Sequence, residues 1–169
     1  MSAAPASTSW TYEERIRAQR ACVDLHVKLE NAHEIDRILP DTFARDGIYY
    51  DVVPGIVHYE GASGVQSIRD FYDLLFGFLP DIHITYSHEY DVPGYCIREG
   101  VVTGTHSAEF AGIAASGRSI VLPFCGIYIF GDDPTRLISE RAYWDNDGLM
   151  RQMRGELVCS ADLPWHHTK

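Results

Sequence analysis

Four features are missing from this sequence, and each absence removes a class of function. There is no CxxC pair: Cys22, Cys96, Cys125 and Cys159 are widely spaced, so neither a zinc knuckle nor a dithiol redox motif is present, and the four read as reduced thiols, mostly in the core. There is no cluster of lysine and arginine. Fourteen basic against 24 acidic residues leave a formal charge of -10, which argues against nucleic acid and anionic membranes as partners. No apolar stretch approaches the roughly 20 residues of a membrane span, and the N-terminus lacks the basic-then-apolar order of a signal peptide, so a soluble cytoplasmic protein is expected. Finally, no set of histidines has ligand spacing. His83 and His88 alternate to opposite faces of one predicted strand and His166-His167 sit in a polar tail, so no metal site is expected.

What is present is a chain of 169 residues with 46% hydrophobic content, enough for one domain with a core. Residues 1–10 are expected to form a tail, residues 11–158 the domain, and residues 159–169 a second tail. Thr11 with Glu14 makes a capping box for a helix running to about Asn31, with Ile16, Cys22, Val23, His26, Val27 and Leu29 at helical spacing. His26 on that stripe reads as a core histidine with its polar atoms satisfied. A second helix spans Glu34 to Phe43, where Pro40 is expected to divide it. Ile48 to Val53 and Ile56 to Tyr59 then read as a strand pair around Pro54-Gly55, with Tyr49 and Asp51 on one face.

Ser67 can cap a helix from Ile68 to Leu79, whose stripe of Ile68, Phe71, Tyr72, Leu75 and Phe78 belongs to the core, with a share available to line a pocket. After Pro80 the chain is nearly all strand: Ile82 to Tyr90, Tyr95 to Phe110, Ser119 to Phe130, and Arg136 to Asp145, separated by turn residues. This predicts an antiparallel meander that must curl to bury one face, closed by the three preceding helices, giving an α+β half-barrel or cone.

The last strand ends in Tyr143-Trp144-Asp145, and Asn146-Asp147-Gly148 is expected to break the chain before Leu149 to Met153 turns helical. Asp145 has two readings. A carboxylate beside two aromatic rings is partly desolvated and suited to proton transfer, whereas a carboxylate just before a helix is also a natural cap.

Gly104-Thr105-His106-Ser107-Ala108-Glu109-Phe110-Ala111-Gly112-Ile113, then Ser116-Gly117-Arg118, then Tyr143-Trp144-Asp145 with Gly148 to Met153, together resemble the SnoaL-like polyketide cyclases of the nuclear-transport-factor-two-like superfamily. The resemblance implies a cone-shaped fold in which N-terminal helices close a deep apolar pocket over a curved antiparallel or mixed sheet. It also implies a homodimer built sheet to sheet, needing no metal or organic cofactor. In its characterised members a strand-end aspartate serves as acid/base in an aldol ring closure, and Asp145 matches that position. Limonene-type epoxide hydrolases, ketosteroid isomerases and dehydratases are related branches, and a shared fold does not choose between them.

The expected function is therefore acid/base chemistry, an aldol-type cyclisation or isomerisation, on an apolar carbonyl-containing small molecule. Asp145 is the expected base and His106 its partner, provided His106 points inward; otherwise His106 is an interior histidine bonded to a backbone carbonyl. Tyr49, Asp51, Tyr72, Glu109, Tyr143 and Trp144 are the expected substrate contacts. Tyr49 and Asp51 occupy the strand on which limonene-type hydrolases show a tyrosine and an asparagine, so epoxide hydrolysis is the alternative. The arginine and aspartate that those enzymes need fall on Gly100 and Val102, although Glu109 could replace the missing carboxylate. A non-catalytic binding module is the third reading; it has little reason to bury an unpaired carboxylate.

Overall fold

In the computed structural model, residues 9–53, 55–64 and 66–159 are described. Most of both expected tails, Pro54 of the first hairpin, and His166-His167 lie outside them. Thr11 caps α1 (Tyr12–Asn31) through the capping box with Glu14, as the sequence predicts. Its buried side includes Cys22, Val23, His26, Val27 and Leu29, and also two polar residues, Gln19 and Glu30. Gln19 binds α1 to the neighbouring turn: its amide donates to the Val92 carbonyl at 3.0 Å and accepts from the Gly94 N–H at 2.9 Å.

Helix α2 (Ile35–Thr42) runs through Pro40 without the expected break. Pro40 leaves the Asp36 carbonyl without its helical donor, but both residues are exposed, so water can serve that carbonyl. Strand β1 (Tyr49–Val52) pairs with β2 (Val57–Glu60), and α3 (Ile68–Phe78) follows, capped by Ser67 in a second capping box with Asp70. Strands β3 (His83–Val92), β4 (Tyr95–Thr105), β5 (Ser119–Phe130) and β6 (Leu137–Trp144) form the predicted antiparallel meander. Strand β4 ends five residues before the expected Phe110, because the Ser107 N–H leaves the sheet to donate to the Phe78 carbonyl at 2.9 Å. Helix α4 (Asn146–Arg154) begins on Asn146, so Asn146-Asp147-Gly148 is its first turn and not a break.

The six strands form one mixed sheet in the order β2-β1-β6-β5-β4-β3, open and not closed into a barrel. The β1 to β6 pairing is parallel, which the meander alone does not predict, and it sets Tyr50 opposite Glu140 and Val52 opposite Ala142. A bulge at Ser87 shifts the β3 register, so that His83 faces Thr103 and His88 faces Glu99. Thr103 and Glu99 share a face of β4, so the two histidines stand on the same side of β3, contrary to simple alternation. The same bulge turns Glu89 and Asp91 to the helix-covered side, where they meet Arg98 at 3.4 and 2.7 Å.

Gly100 lets β3 and the Phe124 ring close on β4. A Cβ there would stand 2.2 Å from the Thr85 carbonyl oxygen and 3.0 Å from Phe124 Cε1. Gly100→Ala is accordingly expected to lower stability by about 1–3 kcal/mol, the usual cost of forcing volume into a closed packing. Chemical denaturation measures it; an unchanged midpoint would show that β3 yields freely.

Candidate active site

An apolar cavity of about 230 Å³ lies between the curved sheet and α3. Phe71, Leu75 and Phe78 of α3 line it opposite Val102, Leu122, Phe124 and Trp144 of the sheet, and Val53, Ile56, Leu74 and Asn146 also border it. Among these apolar walls stand two carboxylates, Glu30 and Glu140, with Tyr50 and Tyr128 beside them.

Both carboxylates face one imidazole. His26 is fully buried, and its Nε2 lies 3.0 Å from Glu140 Oε2 and 3.4 Å from Glu30 Oε1. Glu30 follows His26 by one helical turn of α1, while Glu140 comes from β6 across the core. The ring is fixed from behind: the Thr42 hydroxyl donates to the Ile38 carbonyl at 2.5 Å, which leaves its oxygen to accept from His26 Nδ1 at 3.0 Å. Tyr72 donates to Glu30 at 3.0 Å, and Tyr50 stands opposite Glu140 across the β1 to β6 pairing.

The electrostatics follow from this geometry. Burial alone would favour a neutral imidazole, but the charges of Glu30 and Glu140 and their hydrogen bonds outweigh it and push the His26 pKa up to about 10. Burial raises the Glu140 pKa, an effect His26 partly offsets and the like charge of Glu30 reinforces. Tyr50, Tyr72 and Tyr128 are held well above the ordinary phenol range, first by burial and then by the glutamates, so their hydroxyls remain donors. A proton taken up by Glu140 would therefore enter a buried, preorganised network.

His26 Nε2 and one oxygen from each glutamate also lie within 4.8 Å of one another, the set among the described residues with the spacing to hold a metal ion. The histidine count did not reveal it, because two of its three members are carboxylates.

The residues singled out in the sequence are distributed differently. Asp145 is exposed and caps α4, accepting the Gly148 N–H at 2.9 Å, so of its two readings the cap describes its position. His106 is buried on the helix-covered side but does not line the cavity; its Nδ1 lies 3.0 Å from Ser116 Oγ, not from a backbone carbonyl, and its ring packs edge-on to Phe78. Tyr49 and Asp51 share a face as expected, but it is the face turned from the cavity, where Asp51 lies 2.6 Å from His58 Nδ1 and 3.6 Å from Arg141 Nε. Tyr143 is exposed on that side of β6, and Glu109 is exposed, accepting the Gly112 N–H in a turn at 2.6 Å. Trp144 lines the cavity, and Tyr72 reaches it through Glu30.

Glu30, Glu140, Tyr50 and Tyr128 were missed. Glu140 alternates with Ala142 and Trp144 and so shares their inward face, and Glu30 lies four residues from His26; both signals are in the sequence.

The SnoaL-like polyketide cyclase family model matches residues 16–153. The chain belongs to this family. Solved structures agree on the fold. A protein assigned to the SnoaL-like polyketide cyclases from Jannaschia sp. CCS1 aligns with a TM-score of 0.72 at 15% identity, over 86% of this chain and 97% of that one. AclR of Streptomyces galilaeus, assigned as a hydroxylase, aligns at 0.69 and 15% identity, over 85% and 99%. IdmH of Streptomyces antibioticus, assigned as a polyketide cyclase, aligns at 0.62 and 16% identity, over 80% and 98%. No curated protein sequence matches the chain. No helix among the described residues is long and apolar enough to cross a membrane.

The His26 clamp carries a pH signature. The unfolded imidazole titrates near about 6.5 and the folded one at about 10, so the folded state binds the proton more tightly. The stabilisation this gives is fully present below about pH 6.5 and is lost as the pH rises through 10. Melting temperature should thus fall from pH 7 to 10 more steeply in the native protein than in His26→Gln; equal slopes would place the ring's proton elsewhere.

Proposed function

We propose that this SnoaL-like protein is an enzyme that performs cofactor-independent acid/base chemistry, an aldol-type cyclisation or an isomerisation, on an apolar carbonyl-containing small molecule. The observation that carries this reading is Glu140: a carboxylate 3% exposed, bordering an apolar cavity, with a raised pKa and a charged partner behind it. Removal of a proton from carbon beside a carbonyl needs such a base in such a setting. Glu140 takes the proton, and His26 with Glu30 supports the change of charge. Family membership and the cyclase assignments of several structural neighbours favour the same class.

The hydrolase alternative loses its sequence support, since Tyr49 and Asp51 face away from the cavity. A purely apolar binding module gives no reason for two buried glutamates within an apolar wall. We further infer a homodimer formed through the face turned away from the helices, where Tyr95 and Tyr143 are exposed and Ile97 and Ile127 are only half-buried. Four free cysteines suit a reducing, cytoplasmic setting.

Deuterium exchange at the α-carbon of apolar cyclic ketones in heavy water tests the chemistry. Glu140→Gln should slow exchange by about 100-fold or more, the usual contribution of a general base, whereas Asp145→Ala should stay within about tenfold of the native rate. The reverse ranking would return the base to the strand end. Chelation should leave exchange intact; its loss, with recovery on adding a divalent ion, would assign His26, Glu30 and Glu140 to a metal instead. Light scattering at micromolar concentration should give twice the 19.0 kDa chain mass, and a monomer would refute the dimer.

A further inference from the structure

A base for the α-carbon leaves the carbonyl oxygen without a stated partner, and the hydroxyls grouped around that base narrow the choice. The Thr42 hydroxyl is committed to the Ile38 carbonyl, His26 Nδ1 to Thr42, and His26 Nε2 to the glutamates. Tyr72 is committed to Glu30, and Tyr50 stands opposite Glu140 in the β1 to β6 register. Tyr86 and Tyr128 are different. Their hydroxyl oxygens are 2.8 Å apart, so two hydroxyl hydrogens share one hydrogen bond between them and one hydrogen is left over.

Of the two rings, Tyr128 lines the cavity and Tyr86 does not. Tyr128 also stands directly opposite Glu140 in the β5 to β6 register, on the same face, at the separation of a cross-strand neighbour. Gly126 leaves room for it: a Cβ at that position would lie 3.3 Å from the Tyr128 hydroxyl oxygen and 3.1 Å from its ring. Behind Tyr86 lies the buried Arg98 guanidinium, 5.9 Å from the ring centroid. A cation there favours Tyr86 as the donor of the pair, and a hydroxyl that accepts one hydrogen bond becomes a stronger donor of the next.

We propose that Tyr128 is the oxygen site of this cavity, donating its free hydrogen to the substrate carbonyl and to the enolate oxygen that forms from it. This rests on the acid/base reading above. As the α-carbon–hydrogen bond breaks, the proton goes to the Glu140 carboxylate, and the bonding pair becomes the enolate double bond. The carbonyl π pair moves onto oxygen, where Tyr128 holds it without giving up its own proton. Tyr128 is a catalytic residue, and Tyr86 and Arg98 are positioning residues acting through it. The ligand class narrows to ketones whose acidic carbon and oxygen can reach Glu140 and Tyr128 together.

The test uses 1-indanone carrying a carbon-13 carbonyl, bound to the full chain and observed by infrared difference spectroscopy. In the native protein the carbonyl stretch should fall below its value in an aprotic solvent. Tyr128→Phe should abolish that displacement and weaken binding roughly three- to tenfold, the size of one neutral hydrogen bond. Tyr86→Phe should reduce the displacement without abolishing it, and it serves if Tyr128→Phe fails to fold. An undisplaced carbonyl in the native protein, or an equal displacement in Tyr128→Phe, would overturn the oxygen site. Deuterium exchange in the same samples separates the two readings. A displaced carbonyl with no exchange refutes Glu140 as base and leaves Tyr128 standing, whereas exchange with an undisplaced carbonyl does the opposite.

Discussion

The interaction on which the rest of this structure depends is the clamp of His26 between Glu30 and Glu140. Each of these groups would cost several kcal/mol to bury alone, and together they are tolerable only because each finds a partner with opposite charge or a hydrogen to share. That requirement fixes more than the three side chains. Thr42 has to end α2 beside the ring, Tyr72 of α3 has to reach Glu30, and β1 has to run parallel to β6 so that Tyr50 meets Glu140. Three helices and two strands thus converge on one imidazole, and the apolar cavity opens where that network meets the sheet.

A second buried charge, Arg98, sits on the same face of the sheet and has its own partners, Asp91 at 2.7 Å and Glu89 at 3.4 Å. It exists because of the β3 bulge, which turns those two acids inward. The Tyr86 and Tyr128 hydroxyls bridge the space between the cation and the glutamates. In the proposed reaction, a carboxylate and a phenol side by side on the cavity wall would polarise a carbonyl from one side while the base acts on the neighbouring carbon.

Much of the scaffold is legible in the sequence, because its signals are local. Thr11 with Glu14 and Ser67 with Asp70 form capping boxes, the stripe from Cys22 to Leu29 is buried, and β5 has the bounds that its turn residues predict. The segments that resemble the family also lie in order along one chain, which is why the fold follows from them. The site is less legible because it is assembled from distant positions. His26 was visible as a buried histidine, yet its meaning depends on Glu140, 114 positions later, and on a parallel strand pairing that no local pattern announces. Asp145 drew attention by lying next to two aromatic residues in sequence, but a strand end that leads straight into a helix exposes its carboxylate and gives it a backbone N–H to accept. The bulge at Ser87 likewise defeats alternation on β3, since one inserted residue reverses the facing of everything after it.

The central claim is that a protonated imidazole is held between two buried carboxylates next to an apolar cavity. Nitrogen-15 NMR of the histidine rings, with His26 assigned by its loss in His26→Gln, reads this directly. The claim predicts that both His26 nitrogens carry hydrogen at pH 8, where an ordinary histidine is neutral, and that the ring titrates only near pH 10. A His26 ring that is neutral at pH 7, with one nitrogen bare, would contradict it.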